Sequence, residues 1–173
     1  MHIAYTCMTE RGDMDLLLYG VSQDLIAKGY NAAGAVQVNS ETCGQGNCDI
    51  DIQVLPDGPV IRISQSLGRG SKGGRLDASG LETSVGHVAA RLATNPDFLI
   101  INKFGKQEAA GRGFRPVISD ALMQGIPVLV GLNTLNRAAF LDYTDGCAQE
   151  VSPTRDALLT WVTKALSEAK DAA

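Results

Sequence analysis

The residues with the strongest chemical character run from Asn102 to Arg115: Asn102-Lys103-Phe104-Gly105-Lys106-Gln107-Glu108-Ala109-Ala110-Gly111-Arg112-Gly113-Phe114-Arg115. Four basic side chains, three glycines and one acid follow directly on an apolar run, Phe98-Leu99-Ile100-Ile101. A second segment, Ser66 to Arg75, holds five Ser, Lys or Arg residues and four glycines in ten positions. Glycine-rich backbone presents N–H groups in concave nests, and Arg and Lys supply charge-assisted donors, so both segments have the composition of anion cradles. The candidate ligand-binding set is Asn102, Lys103, Lys106, Glu108, Arg112 and Arg115 from the first segment and Arg69, Ser71, Lys72 and Arg75 from the second. Thr9 and Arg11, in the turn after the first β-prone run, complete it. The same residues also fit a solvated basic face with flexible glycines. Glu108, set among Lys103, Lys106 and Arg112, is expected to orient those cations by ion pairing, with general-base work as its other use.

Charge distribution sharpens the expectation. The chain of 173 residues carries a formal charge of −4, yet Arg62 to Arg115 contains nine basic and four acidic residues, a local balance of +5. The acidic total argues against nucleic-acid binding through global charge. No apolar stretch approaches the roughly 20 residues a bilayer span needs. The start Met1-His2-Ile3-Ala4-Tyr5 lacks the basic opening and long apolar run of a signal peptide, so a cytoplasmic location is expected. Thiols would then be reduced. Cys43 and Cys48 have four residues between them, wider than a redox CxxC, and no second Cys/His pair stands nearby to complete a zinc site, so no metal or cofactor is expected beyond a bound oxyanion.

The elements that must position these residues alternate. Ile3 to Met8 reads as a strand, Met14 to Lys28 as a helix with Leu17, Leu18, Val21, Leu25 and Ile26 at helical spacing, and Ala32 to Val38 as a strand paired in parallel with the first. Ile50 to Val54 and Val60 to Ile63, joined by Pro56-Asp57-Gly58-Pro59, read as an inserted β-hairpin. Ser79 with Glu82 reads as a capping box opening a helix to about Thr94. Phe98 to Ile101 and Ile126 to Val130 read as buried strands, Val117 to Gln124 as a helix, Gln149 to Val151 as a short edge strand, and Ser152-Pro153 as the start of the last helix. The fold class is therefore α/β: a three-layer sandwich with a mostly parallel sheet, one domain over residues 1–173, with 40–75 an inserted loop, hairpin and basic loop. Ligands in such sheets bind beyond the carboxyl ends of the strands, where the candidate loops fall.

The runs Asn102 to Gly113 and Ile63 to Ser71, with Arg75 to Asp77, resemble those of an uncharacterised bacterial domain family often encoded beside molybdate-transport genes. That family in turn resembles the small P-loop nucleoside-triphosphatases. The resemblance implies a P-loop-like scaffold and places Asn102 where a magnesium-binding Asp would stand and Lys103 where a Glu would, while Gly105, Lys106 and Glu108 match. Departures matter as much. A triphosphatase needs GxxxxGK[ST] to hold phosphates and magnesium, and Thr9-Glu10-Arg11-Gly12-Asp13-Met14-Asp15 has the place without the parts. Asp13 and Asp15 are expected instead to satisfy the N–H groups of the helix start and to repel phosphate there.

The function expected is capture of a small oxyanion, molybdate by resemblance, or sulfate or a phosphate-containing ligand, on degenerate nucleotide motifs and without turnover. A nucleotide hydrolase or transferase with an altered site is the enzymatic alternative, and a module that docks an acidic partner through its basic loops is the third. No membrane or nucleic-acid partner is expected, and homo-oligomerisation stays open. His87 is expected on a polar helix face, and Trp161 in the packing of the last helix.

Overall fold

The computed structural model describes residues 1–8, 13–39, 49–65 and 75–172. Seven strands form one sheet: β1 (Ile3–Cys7), β2 (Ala32–Asn39), β3 (Ile50–Val54), β4 (Val60–Arg62), β5 (Phe98–Phe104), β6 (Val128–Leu132) and β7 (Gln149–Glu150). Their order is β4-β3-β2-β5-β6-β1-β7, with β2, β5, β6, β1 and β7 parallel and the β3–β4 hairpin antiparallel at one edge. The helices are α1 (Asp13–Ala27), α2 (Ala78–Leu92), α3 (Lys106–Ala109), α4 (Arg115–Met123), α5 (Arg137–Tyr143) and α6 (Arg155–Asp171). None of the described helices is long and apolar enough to cross a membrane.

Alternation along the central strands makes three layers. In β5, Phe98 and Ile100 join the core under α1 and α6, with Leu18, Leu25, Leu158 and Val162. Leu99 and Ile101 face the other core, built with Leu81 and Val88 of α2, Val117 and Ile118 of α4 and Phe140 of α5. Strands buried on both faces read as continuous apolar runs, which is why Phe98 to Ile101 was legible.

Several expectations need correction. β1 and β2 are not neighbours: β1 pairs with β6 and β7, and β2 with β5. The crossover through α1 thus spans a sheet into whose middle β5 and β6 are later inserted. β5 runs three residues past Ile101, so Asn102 and Lys103 lie on the strand itself. Asp77, not Ser79, caps α2, its carboxylate accepting the Ser79 N–H at 2.9 Å. An Asp two residues earlier does the same work as the expected Ser, and the helix starts correspondingly sooner. Thr154 caps α6 in place of Ser152. The segment Thr134 to Tyr143, left without an element by the sequence pattern, forms a 3-10 turn (Thr134–Asn136) and α5.

Candidate functional site

The carboxyl end of the parallel sheet carries two polar groupings on its opposite faces. On the α1 face, Asn102 continues the Phe98 and Ile100 side of β5, is 6% exposed, and donates its Nδ2 to Oδ1 of Asp15 at 2.7 Å. Gly131 of β6 allows this close arrangement, since a Cβ there would lie 2.1 Å from the Asn102 carbonyl oxygen. Asp15, in the first turn of α1, therefore turns one oxygen to the strand end. Burial pushes its carboxyl above the usual range, against the Asn102 hydrogen bond and the Lys103 charge, which pull it down. Two buried oxygens on this face, Asn102 Oδ1 and Thr6 Oγ1, have no hydrogen-bond partner among the described residues.

Nucleotide hydrolases hold magnesium at such a strand end with anionic oxygen, and here the carboxylate that reaches it is Asp15. The carboxylate at hand already accepts an amide N–H and feels an ammonium charge. Among the described residues no group of three or more His, Cys, Asp or Glu could hold a metal ion.

On the other side of the strand end, Glu108 organises the loop that follows β5. It is only 3% exposed, and its two carboxylate oxygens accept backbone N–H groups, Gly105 at 2.9 Å and Phe114 at 3.0 Å. Its first contact closes the N-terminus of α3 and its second ties down the entry to α4. Gly113 has φ +59, and a Cβ on it would sit 2.0 Å from Glu108 Oε1, so the glycine makes room for the clasp. The expected ion pairing of Glu108 with Lys103, Lys106 and Arg112 is absent among the described residues. A buried carboxylate gains more from two fixed N–H dipoles than from mobile surface cations. The glycines and acid of this motif thus shape the loop, leaving its cations unneutralised.

Those cations divide. Lys103 and Lys106 are exposed, make no ion pair among the described residues, and line a cavity of about 220 Å³ with Asn102 and Glu108. Arg112 donates Nε to Gln107 Oε1 at 2.9 Å and lines an adjacent open cleft with Glu82, which itself accepts the Gly113 N–H at 3.3 Å. Arg115 lies 4.5 Å from the centre of the Tyr143 ring and reaches the Glu108 carbonyl at 3.5 Å. Arg62 pairs with Asp49 and Asp51, and Arg91 donates to the Ala32 carbonyl, so part of the basic segment is structural. Arg75 follows the second basic loop, and its neighbour Leu76 bridges to Ser64 and lines the 220 Å³ cavity, at the same end of the sheet as Lys103. Thr9, Arg11, Arg69, Ser71, Lys72, Cys43 and Cys48 lie outside the described residues.

The structure adds residues that residue chemistry alone did not single out. Gln37 of β2 reaches the cavity beside Ala35, on the face set by strand alternation, and makes no side-chain hydrogen bond among the described residues. Tyr143 fixes Arg115, its hydroxyl donating to the Arg115 carbonyl at 3.1 Å. His87 is exposed, and Trp161 packs on the α1–α6 core while donating to Gln149.

Comparison with solved structures finds the same architecture. THEP1 from the hyperthermophile Aquifex aeolicus superposes with a TM-score of 0.65 at 15% identity, over 98% of this chain and 99% of that one. A human cancer-related nucleoside triphosphatase gives 0.64 at 11% identity over the whole of both chains. These likenesses show that the three proteins share one α/β fold. In sequence, 151 residues, 86% of this chain, are 38% identical to the molybdenum import ATP-binding protein ModC 2 of Bradyrhizobium diazoefficiens. The chain matches 17% of the length of that relative. The profile of one family runs from residue 3 to residue 161, through β1, the Glu108 clasp and the start of α6, and the chain belongs to that family, described as protein of unknown function DUF2478.

Proposed function

We propose that this domain binds a small oxyanion at the carboxyl end of its sheet, without hydrolysing a nucleotide. The observation that carries the reading is the pair Lys103 and Lys106, two exposed cations without ion pairs among the described residues, both lining one cavity in a segment whose only acid is spent on backbone N–H groups. An anion between them meets two charge-assisted donors, while the nearby Glu108 carboxylate is engaged by backbone N–H groups. The α1 side would repel it, because Asp15 stands there. Molybdate is the first candidate, supported by the name of the sequence relative; sulfate and phosphate offer the same tetrahedral geometry.

Thermal melting with molybdate, sulfate and phosphate tests the reading. A ligand at a hundred times its Kd stabilises by about 2.7 kcal/mol, which raises Tm by roughly 5–10 °C in a domain of this size. The rise should vanish in the Lys103→Ala, Lys106→Ala double variant. No shift with any of the three anions at millimolar concentration would overturn it.

A further inference from the structure

The walls of the 220 Å³ cavity do not match a bare inorganic ion. Its floor is the hydrocarbon of adjacent strands, Ala35 and Ile52, and its sides are Ile63, Leu76, Leu81 and Phe114, with the two lysines exposed at the rim. A fully ionised oxyanion placed against those side chains would lose its hydration with no donors in return from these described walls, which is strongly unfavourable. The charged group must therefore stay at the rim. A water takes about 30 Å³ of liquid volume, so the cavity as a whole holds the equivalent of roughly seven waters, more than the five heavy atoms of a tetrahedral oxyanion need. The one polar side chain set into the floor from β2, the Gln37 amide, is half-buried and free of side-chain hydrogen bonds among the described residues.

Building on the oxyanion reading above, we infer that the physiological ligand is an organic anion: an apolar or aromatic body seated on Ala35, Ile52 and Leu76, carrying one phosphate or carboxylate held between Lys103 and Lys106. This division of labour is usual in small-molecule sites, where apolar walls supply contact area and a few polar groups set orientation. The Gln37 amide would then meet a polar substituent on the body.

Calorimetric titration with 1-naphthyl phosphate, inorganic phosphate and uncharged 1-naphthol, together with methyl spectra of the isoleucines and leucines, tests the assignment. Naphthyl phosphate should bind at least tenfold tighter than inorganic phosphate, compete with it, and shift the signals of Ile52, Ile63 and Leu76, which inorganic phosphate leaves in place. In Gln37→Phe, which fills the floor from a half-buried position, that preference should collapse to within threefold. Equal affinities with no methyl shifts would overturn the organic-ligand inference and leave the oxyanion reading standing. Naphthol binding as tightly as naphthyl phosphate would overturn it by showing that the anionic group plays no part. Absence of binding by both anions would overturn the inference, and the oxyanion reading would fall with it if molybdate and sulfate also left the melting temperature unchanged.

Discussion

Removing the Glu108 carboxylate should destabilise the domain through two backbone donors rather than through lost charge pairing. In Glu108→Ala the Phe114 N–H, in a residue 3% exposed, and the half-buried Gly105 N–H both lose their acceptor. Each buried unsatisfied donor costs about 1–3 kcal/mol; with Gly105 near the lower limit, the sum is about 2–4 kcal/mol. Set against a total stability of about 5–15 kcal/mol, that is a large fraction, and it corresponds to a fall in Tm of roughly 5–15 °C. Glu108→Gln should recover only part of the loss, because its one carbonyl oxygen serves a single N–H while its amide group confronts the other. The geometry also dictates a coupling. Gly113→Ala alone drives a Cβ to within 2.0 Å of Glu108 Oε1 at a φ of +59, but in the Glu108→Ala background the steric half of that penalty disappears. A double-mutant cycle followed by urea unfolding should therefore give a coupling of about 1 kcal/mol or more. A Glu108→Ala protein melting within 1 °C of the parent, or strictly additive effects, would refute the clasp and return Glu108 to the surface ion-pairing role.

Two further outcomes follow from the strand end. Burial raises the Asp15 carboxyl pKa in the folded state, so ionisation is penalised there, and this group's contribution to stability is greatest below the ordinary carboxylate range and is lost as pH rises through the raised value. Asp15→Asn removes that penalty and offers an N–H to the orphaned Asn102 Oδ1, so Tm at pH 7 should rise by about 2–4 °C, from about 1 kcal/mol for the new hydrogen bond, with a smaller gain below pH 4; a loss of stability at pH 7 would contradict the assignment. Because the sequence from Thr9 to Asp15 has no GxxxxGK[ST], phosphate release from ATP or GTP should stay at background; turnover of about 1 s⁻¹ abolished by Lys103→Ala would show otherwise.

Element types were legible because they follow from local pattern. The apolar run at Phe98 to Ile101, the helical spacing of Leu18, Val21 and Leu25, and the turn between β3 and β4 each declare their element within a few residues. The α/β layering follows from their alternation, and the basic bias of the loop after β5 stands out in the same way. Strand order did not follow, since local propensity places no constraint on whether β2 lies beside β1 or beside β5; that depends on which faces bury most area when all the strands are present. Side-chain partnership did not follow either. Asn102 meets Asp15 across 87 positions, and Tyr143 takes Arg115 across 28. Even the short-range Glu108 contacts were misread, because composition shows an acid among cations but not that burial has turned it toward backbone N–H groups. The sequence by itself thus determined the layers and the charge of the site. Tertiary structure alone decided which charges remain unpaired, because desolvation depends on what lies above each group in space rather than beside it in the chain.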